Sequence, residues 1–157
     1  MAKIKDIRLL LDNIRSVHNV GSIFRTAETV GVTKIYCIDT TPTPTDRFNR
    51  KRNDLAKVAL GAEDLVPWEY LKDSISLVKR LKKEGFKIVA LEQAENSINY
   101  KKIKSKEKVL LILGNEVGGV SKQLLNLSDE IAEIPLKGKK ESLNVSVAGG
   151  IMMFELL

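Results

Sequence analysis

The sequence predicts one α/β domain with a mostly parallel sheet flanked by helices. Three observations carry that expectation. Short apolar runs alternate with helix-spaced patterns along the whole 157 residues. The run at 109–113 is continuously aliphatic, as a strand buried on both faces of a parallel sheet must be. The composition, 43% hydrophobic and 29% charged, is that of a folded protein, and the length suits one full core better than two.

In chain order, residues 7–11 read as the first strand. Residues 20–30 read as a helix, with Val20, Ile23, Phe24, Ala27 and Val30 on one face and Gly31 to stop it. Residues 34–38 form the second strand. Residues 68–84 have helical spacing, with Leu71, Ile75, Val78 and Leu81 inward and Gly85 closing the turn. Strands follow at 87–91 and 109–113. Ser121 is placed to cap a short helix carrying Leu124 and Leu125. A strand at 131–134 and a helix over 144–157 complete the series. Two stretches read as loops. One is 39–54, with Pro42, Pro44 and the basic group Arg47, Arg50, Lys51 and Arg52; the other is the lysine-thick 95–108. No repeat or low-complexity segment interrupts the pattern.

A formal charge of +6 favours an acidic partner such as RNA, although surplus lysine for solubility gives the same number. The lone Cys37 excludes an intramolecular disulfide and points to a reducing compartment. No apolar stretch approaches the roughly 20 residues of a membrane span. Residues 1–6 lack the apolar segment of a signal peptide, so the cytoplasm is the expected location.

In open parallel sheets, ligands bind beyond the carboxyl ends of the strands. Three junctions of that kind carry unusual residues. The first runs from Asn13 through His18, Asn19 and Gly21 to Arg25. The second is Gly114-Asn115-Glu116-Val117-Gly118-Gly119-Val120-Ser121. The third is Ile134-Pro135-Leu136, then Ser142-Leu143-Asn144-Val145-Ser146-Val147-Ala148. Glycine allows a ligand close to the backbone, and asparagine reads polar groups without adding charge. Singly, each junction is explained by turn and cap chemistry. Together they suit a nucleoside-containing cofactor. No G-x-x-x-x-G-K-[ST] and no G-x-G-x-x-G is present, and one histidine with one cysteine cannot build the usual zinc sites, so no metal is expected. His18 has no G-x-S-x-G elbow to serve.

The same junctions resemble the three motifs of SpoU-type (TrmH-like) RNA ribose 2′-O-methyltransferases of the SPOUT superfamily. Asn19, Gly21, Arg25 and Ala27 match the N-x-G-x-x-x-R-x-A core. Residues 113–121 match the second motif, G-x-E-x-x-G-[VL]-S, and residues 134–148 match I-P-[ML]…S-L-N-V-S-x-A. The resemblance covers the whole chain. It implies a single methyltransferase domain over 1–157 with no appended RNA-binding domain, and a C-terminal deep trefoil knot, a rare topology that patterning could not suggest. It implies S-adenosyl-L-methionine as cofactor, framed by Leu91, Gly114, Ile134, Leu136 and Leu143. Arg25, Asn19, Glu116, Ser142 and Asn144 would be the catalytic set. The chain would act as a homodimer on tRNA or rRNA. A catalytically silent RNA-binding protein and a base-directed RNA methyltransferase are the alternatives.

The implied reaction is attack of a ribose 2′-hydroxyl on the cofactor's methyl group. The resemblance assigns activation of that hydroxyl to Arg25. Holding an arginine neutral at pH 7 costs roughly 7–8 kcal/mol, so a bidentate clamp on the target phosphate that also steadies the developing alkoxide is the better role. Water, phosphate and a transiently neutral Arg25 stay open as proton acceptors. Asn19 would orient Arg25 or the ribose, and Glu116 would fix Asn19 or its own loop. Ser142 and Asn144 would order the cofactor's end of the site. The basic 47–52 group and Lys101, Lys102, Lys104, Lys106 and Lys108 are the expected RNA contacts, or else solvated loops. Gly149-Gly150, costing about 1 kcal/mol each in a helix, implies a closely packed second backbone or a helix that starts later.

Overall fold

A computed structural model describes residues 4–157. The leaderless terminus read from the first six residues therefore lies, at 1–3, outside the described residues. Among the described residues, seven strands form one sheet: β1 (Asp6–Asp12), β2 (Lys34–Ile38), β3 (Trp68–Leu71), β4 (Lys87–Leu91), β5 (Ile98–Asn99), β6 (Lys108–Gly114) and β7 (Glu130–Glu133). Their order is β3-β2-β1-β6-β4-β7-β5, and every pairing is parallel. The centre is set by β1 against β6, with Leu9 opposite Leu111 and Leu11 opposite Leu113.

Strand alternation divides the interior in two. Leu9, Leu11, Leu111 and Leu113 face one side, under α1 (Val17–Val30), α2 (Asn53–Ala59), α3 (Ala62–Leu65) and α6 (Val145–Glu155). Leu10, Leu110 and Ile112 face the other, under α4 (Ser74–Lys83) and α5 (Lys122–Leu127). All seven of these strand residues are fully buried, each stabilising by roughly 1.5–3 kcal/mol relative to exposure. A sheet covered on both faces explains why its central strands carry no polar alternation.

The first helix begins three residues earlier than its apolar spacing indicates, because the Ser16 side chain accepts from the Asn19 N–H and caps it. It ends at Gly31, as expected, in the left-handed conformation. The expected helix over 68–84 is corrected. Trp68–Leu71 is an edge strand beside β2, and only Ser74–Lys83 is helical. Asp73 decides the boundary, since its side chain accepts from Ser76 N–H and starts the helix there. Leu71 and Ile75 had continued the helical spacing across two different elements.

The 39–54 stretch is a loop up to Arg52, but it runs into α2, which the sequence did not announce. The 95–108 stretch contains β5 and a single 3-10 turn, Tyr100–Lys102. Ser121 occupies the N-cap of α5 without its side chain making the cap bond. No helix among the described residues is long and apolar enough to cross a membrane.

Gly149 is close-packed, but against a side chain: a Cβ there would lie 2.8 Å from Leu113 Cδ1. Gly150 meets Thr26 Cγ2 at an ordinary 3.6 Å. Among the described residues no second backbone crowds either position, and the helix starts at Val145, before both.

Candidate active site

The carboxyl ends of β4, β6 and β7 open onto one cavity of about 630 Å³. The first turns of α1 and α6 close its side. The five residues expected around a cofactor, Leu91, Gly114, Ile134, Leu136 and Leu143, all line it. Of the expected catalytic set, Asn19, Glu116, Ser142 and Asn144 line it as well. Arg25 does not, and its side chain is exposed. Helical phase gives the reason: six residues at about 100° each put Arg25 roughly 120° around α1 from Asn19 and about 9 Å along its axis.

One hydrogen-bonded relay joins the three junctions. Asn19 Nδ2 donates to Glu116 Oε1 at 3.2 Å, and Asn144 Nδ2 donates to Asn19 Oδ1 at 3.1 Å. Asn144 is also the N-cap of α6, its Oδ1 accepting from the Ser146 N–H at 2.9 Å. Glu116 takes two further donors from the α1 approach, the N–H groups of Arg15 and Ser16, both at 3.1 Å. Partial burial pushes the Glu116 carboxyl up. Its own backbone N–H, those of Arg15 and Ser16, and the Asn19 amide outweigh that push and hold it below the usual glutamate range. An ionised Glu116 therefore fixes the first junction against the second.

Asn13 and Asn115 do related structural work. Asn115 Nδ2 donates to the Asn13 carbonyl at 2.6 Å, and its Oδ1 accepts from Val117 and Gly118 N–H groups, curling the 115–119 turn. Gly114 lies against that turn so closely that a Cβ would sit 2.3 Å from both Gly119 C and Val120 N. Gly21 proves different from the expectation of a ligand-facing glycine. It is buried under α2, and a Cβ there would meet Val58 Cβ at 2.9 Å.

Two carboxylates escaped sequence reading. Glu92, just past β4, accepts from Val120 N–H at 2.8 Å, and Asp12, at the end of β1, accepts from Ser121 N–H at 2.9 Å. They hold the exit of the second junction from opposite sides of β6. Their only sequence signal is position, an acid at the carboxyl end of a buried strand.

The cavity's charge runs against that of the chain. Glu92, Glu116, Glu133 and Glu141 line it, and no lysine, arginine or histidine does, although the chain carries +6. Such a lining repels phosphate and suits a cationic ligand with polar edges to read. The apolar side is supplied by Leu91, Leu113 and Leu143. Among the described residues, no group of three or more His, Cys, Asp or Glu is gathered to hold a metal ion.

Comparison with known proteins shows the family and the fold. Residues 6–154 match the family model described as SpoU rRNA Methylase family. A tRNA (guanosine(18)-2′-O)-methyltransferase of Aquifex aeolicus is 30% identical over 151 residues, 96% of this chain and 68% of that protein. A Borreliella burgdorferi protein, named an uncharacterized tRNA/rRNA methyltransferase, is 37% identical over 148 residues, 94% of this chain and 62% of that protein. The crystal structure of an AdoMet-bound rRNA methyltransferase from Sinorhizobium meliloti superposes with TM-score 0.86 at 28% identity, over 99% of this chain and 57% of that one. The chain thus spans roughly three-fifths to two-thirds of the length of these relatives.

Proposed function

This chain belongs to the SpoU rRNA methylase family, and on that premise we propose that it transfers a methyl group from S-adenosyl-L-methionine to a ribose 2′-hydroxyl of tRNA or rRNA. The observation that carries the reading is the cavity lined by acids and amides at the carboxyl rim of the sheet. The cofactor's sulfonium and ammonium groups are cations, and a phosphate-bearing cofactor would meet four carboxyl side chains there without one basic partner. Adenine edges are read by amides and backbone, and the apolar walls cover its faces.

Leu91, Gly114, Ile134, Leu136 and Leu143 would hold the cofactor, largely through backbone groups. Bound there, it supplies an electrophilic methyl group. The 2′-oxygen forms the new bond to carbon while the bond from carbon to sulfur breaks, and the hydroxyl proton leaves to solvent or to a phosphate. Asn19, held from both ends by Glu116 and Asn144, offers a fixed polar surface at the mouth. Ser142, one residue before Leu143 on the same wall, orders that end of the site. Arg25 acts from outside the cavity, clamping the target phosphate and countering charge on the 2′-oxygen.

The active form is a homodimer built on α6. Val147, Ile151 and Phe154 share one face of that helix, with exposures of 52%, 36% and 55%, spacing that leaves an apolar stripe without a partner in one chain. Thr26 of α1 packs towards Gly150 of the same α6. The chain works as one catalytic domain, its C-terminal part carries the family's trefoil knot, and its RNA substrates place it in the cytoplasm.

Calorimetry with S-adenosyl-L-methionine tests the cavity. Mapping 2′-O-methyl groups in tRNA and rRNA from cells with and without the gene tests the reaction. Loss of one ribose methyl group is the expected result. Loss of a base methyl group would replace this reading with a base-directed enzyme, and RNA binding without any methyl transfer would replace it with a silent RNA-binding protein.

A further inference from the structure

The loop leaving β2 ends in a rigid hook that the cavity does not explain. Thr45 and Lys51 form an antiparallel bridge, and Asp46 N–H donates to the Arg50 carbonyl at 2.8 Å. Inside the hook, the Asp46 carboxylate accepts from the N–H groups of Phe48 and Arg50 at 2.8 and 3.0 Å and from Arg50 Nε at 3.0 Å. At the tip of this ordered turn, Phe48 is 63% exposed. The guanidinium carbons of Arg47 and Arg50 lie 4.8 and 5.0 Å from its ring centroid.

The loop's remaining cations are occupied elsewhere. Lys51 pairs with Glu63 and Asp64 at 3.3 Å each, and Arg52 with Asp54 at 2.9 Å. What the hook offers is an aromatic ring framed by two guanidinium planes, presented by fixed backbone. A nucleobase stacks on such a surface whatever its sequence, and the Arg47 charge meets its phosphates while Asp46 holds Arg50 in place. The loop that carries the hook is stapled to the active-site rim. Asn13 Oδ1 accepts from Thr40 N–H and Oγ1 at 3.2 and 2.9 Å, and Ile14 N–H donates to Thr41 Oγ1 at 3.1 Å. We propose that Phe48, framed by Arg47 and Arg50, is a stacking platform for an unpaired base of the RNA substrate. This rests on the reading of the chain as an RNA methyltransferase and adds how it grips single-stranded RNA.

The test compares the unaltered chain with Phe48→Ala, Phe48→Tyr and the double variant Phe48→Trp with Trp68→Phe. Binding of a short single-stranded RNA is followed by fluorescence anisotropy, with an abasic oligonucleotide of equal charge as control. Phe48→Ala should weaken binding of the base-bearing RNA about tenfold, while Phe48→Tyr restores it. All variants should bind the abasic chain alike, and RNA should quench the indole emission of the double variant. Equal affinity of Phe48→Ala and the unaltered chain, in protein that methylates RNA, would overturn the platform alone. A change of oligomeric state in Phe48→Ala on sedimentation would overturn it in favour of a contact between copies. Failure of the unaltered chain to bind or methylate any RNA would overturn the underlying reading and the platform with it.

Discussion

The side-chain amide of Asn144 donates to the side-chain oxygen of Asn19 at 3.1 Å, across 125 positions of sequence. Because the other end of the Asn19 amide is held by Glu116, its orientation is fixed and the three junctions behave as one unit. Cutting any link should loosen the other two.

Glu116→Gln removes one of the two carboxylate oxygens that accept from Arg15, Ser16 and Asn19. Turnover should fall at least tenfold, with a small loss of stability of about 1 kcal/mol. The folded carboxyl lies below its ordinary value of 4.5. Its contribution is therefore fully present above pH 4.5 and is lost as pH falls through the lower folded value. The stability gap between wild type and variant should stay flat from pH 6 to 8 and close in acid, as followed by denaturant titration at each pH.

Gly114→Ala tests the close approach of β6 to its own turn. The added methyl would meet backbone atoms of Gly119 and Val120 at 2.3 Å, with no flexible side chain to yield. Overpacking of this kind costs about 1–3 kcal/mol. The expected result is a lower melting temperature together with loss of S-adenosyl-L-methionine binding by calorimetry. A variant that bound normally would show that the turn can shift without harming the cavity.

Arg25 lies outside the cavity, so cofactor affinity and transfer should separate. Arg25→Ala should keep the dissociation constant for S-adenosyl-L-methionine within about threefold, while methyl transfer falls by two orders of magnitude or more, in the range of losing one stabilising donor set. Arg25→Lys should also be poor, because an ammonium lacks the paired planar donors. Retention of most turnover in either variant, measured with labelled cofactor, would remove Arg25 from the mechanism.

Phe154→Glu places a charge at the C-terminal end of the exposed α6 stripe. If two copies meet there, sedimentation should show a monomer where wild type sediments as a dimer, with the far-UV spectrum unchanged. A variant that stays dimeric would move the interface elsewhere.

The inner sheet was legible because its strands are nearly unbroken aliphatic runs, and β2 and β4 were found to the residue. The edges were not. β5 is two exposed residues, and Trp68–Leu71 carried a helical spacing into the helix that follows it. Glycine and asparagine at strand ends marked the three junctions, and Asn19, Gly114, Asn115 and Asn144 from those junctions line one cavity. The pairings were not legible, since Asn19 reaches partners 97 and 125 positions away. Glu92 and Asp12 went unseen because a lone acid after a strand looks like any turn residue. The basic 47–52 group read as free charge, yet Arg50, Lys51 and Arg52 are tied into ion pairs within the chain.

The pairing of β1 with β6 has a consequence for synthesis. The sheet's midline joins residues about a hundred positions apart, Leu9 to Leu111 and Asp12 to Gly114. A nascent chain emerging from the ribosome can pair β1, β2 and β3 early, but β1 then waits with an unfilled apolar edge until most of the polypeptide has been translated. Topology of this kind folds slowly and is exposed to self-association meanwhile. Truncated products ending before residue 108 should accordingly be insoluble, degraded or bound to chaperones.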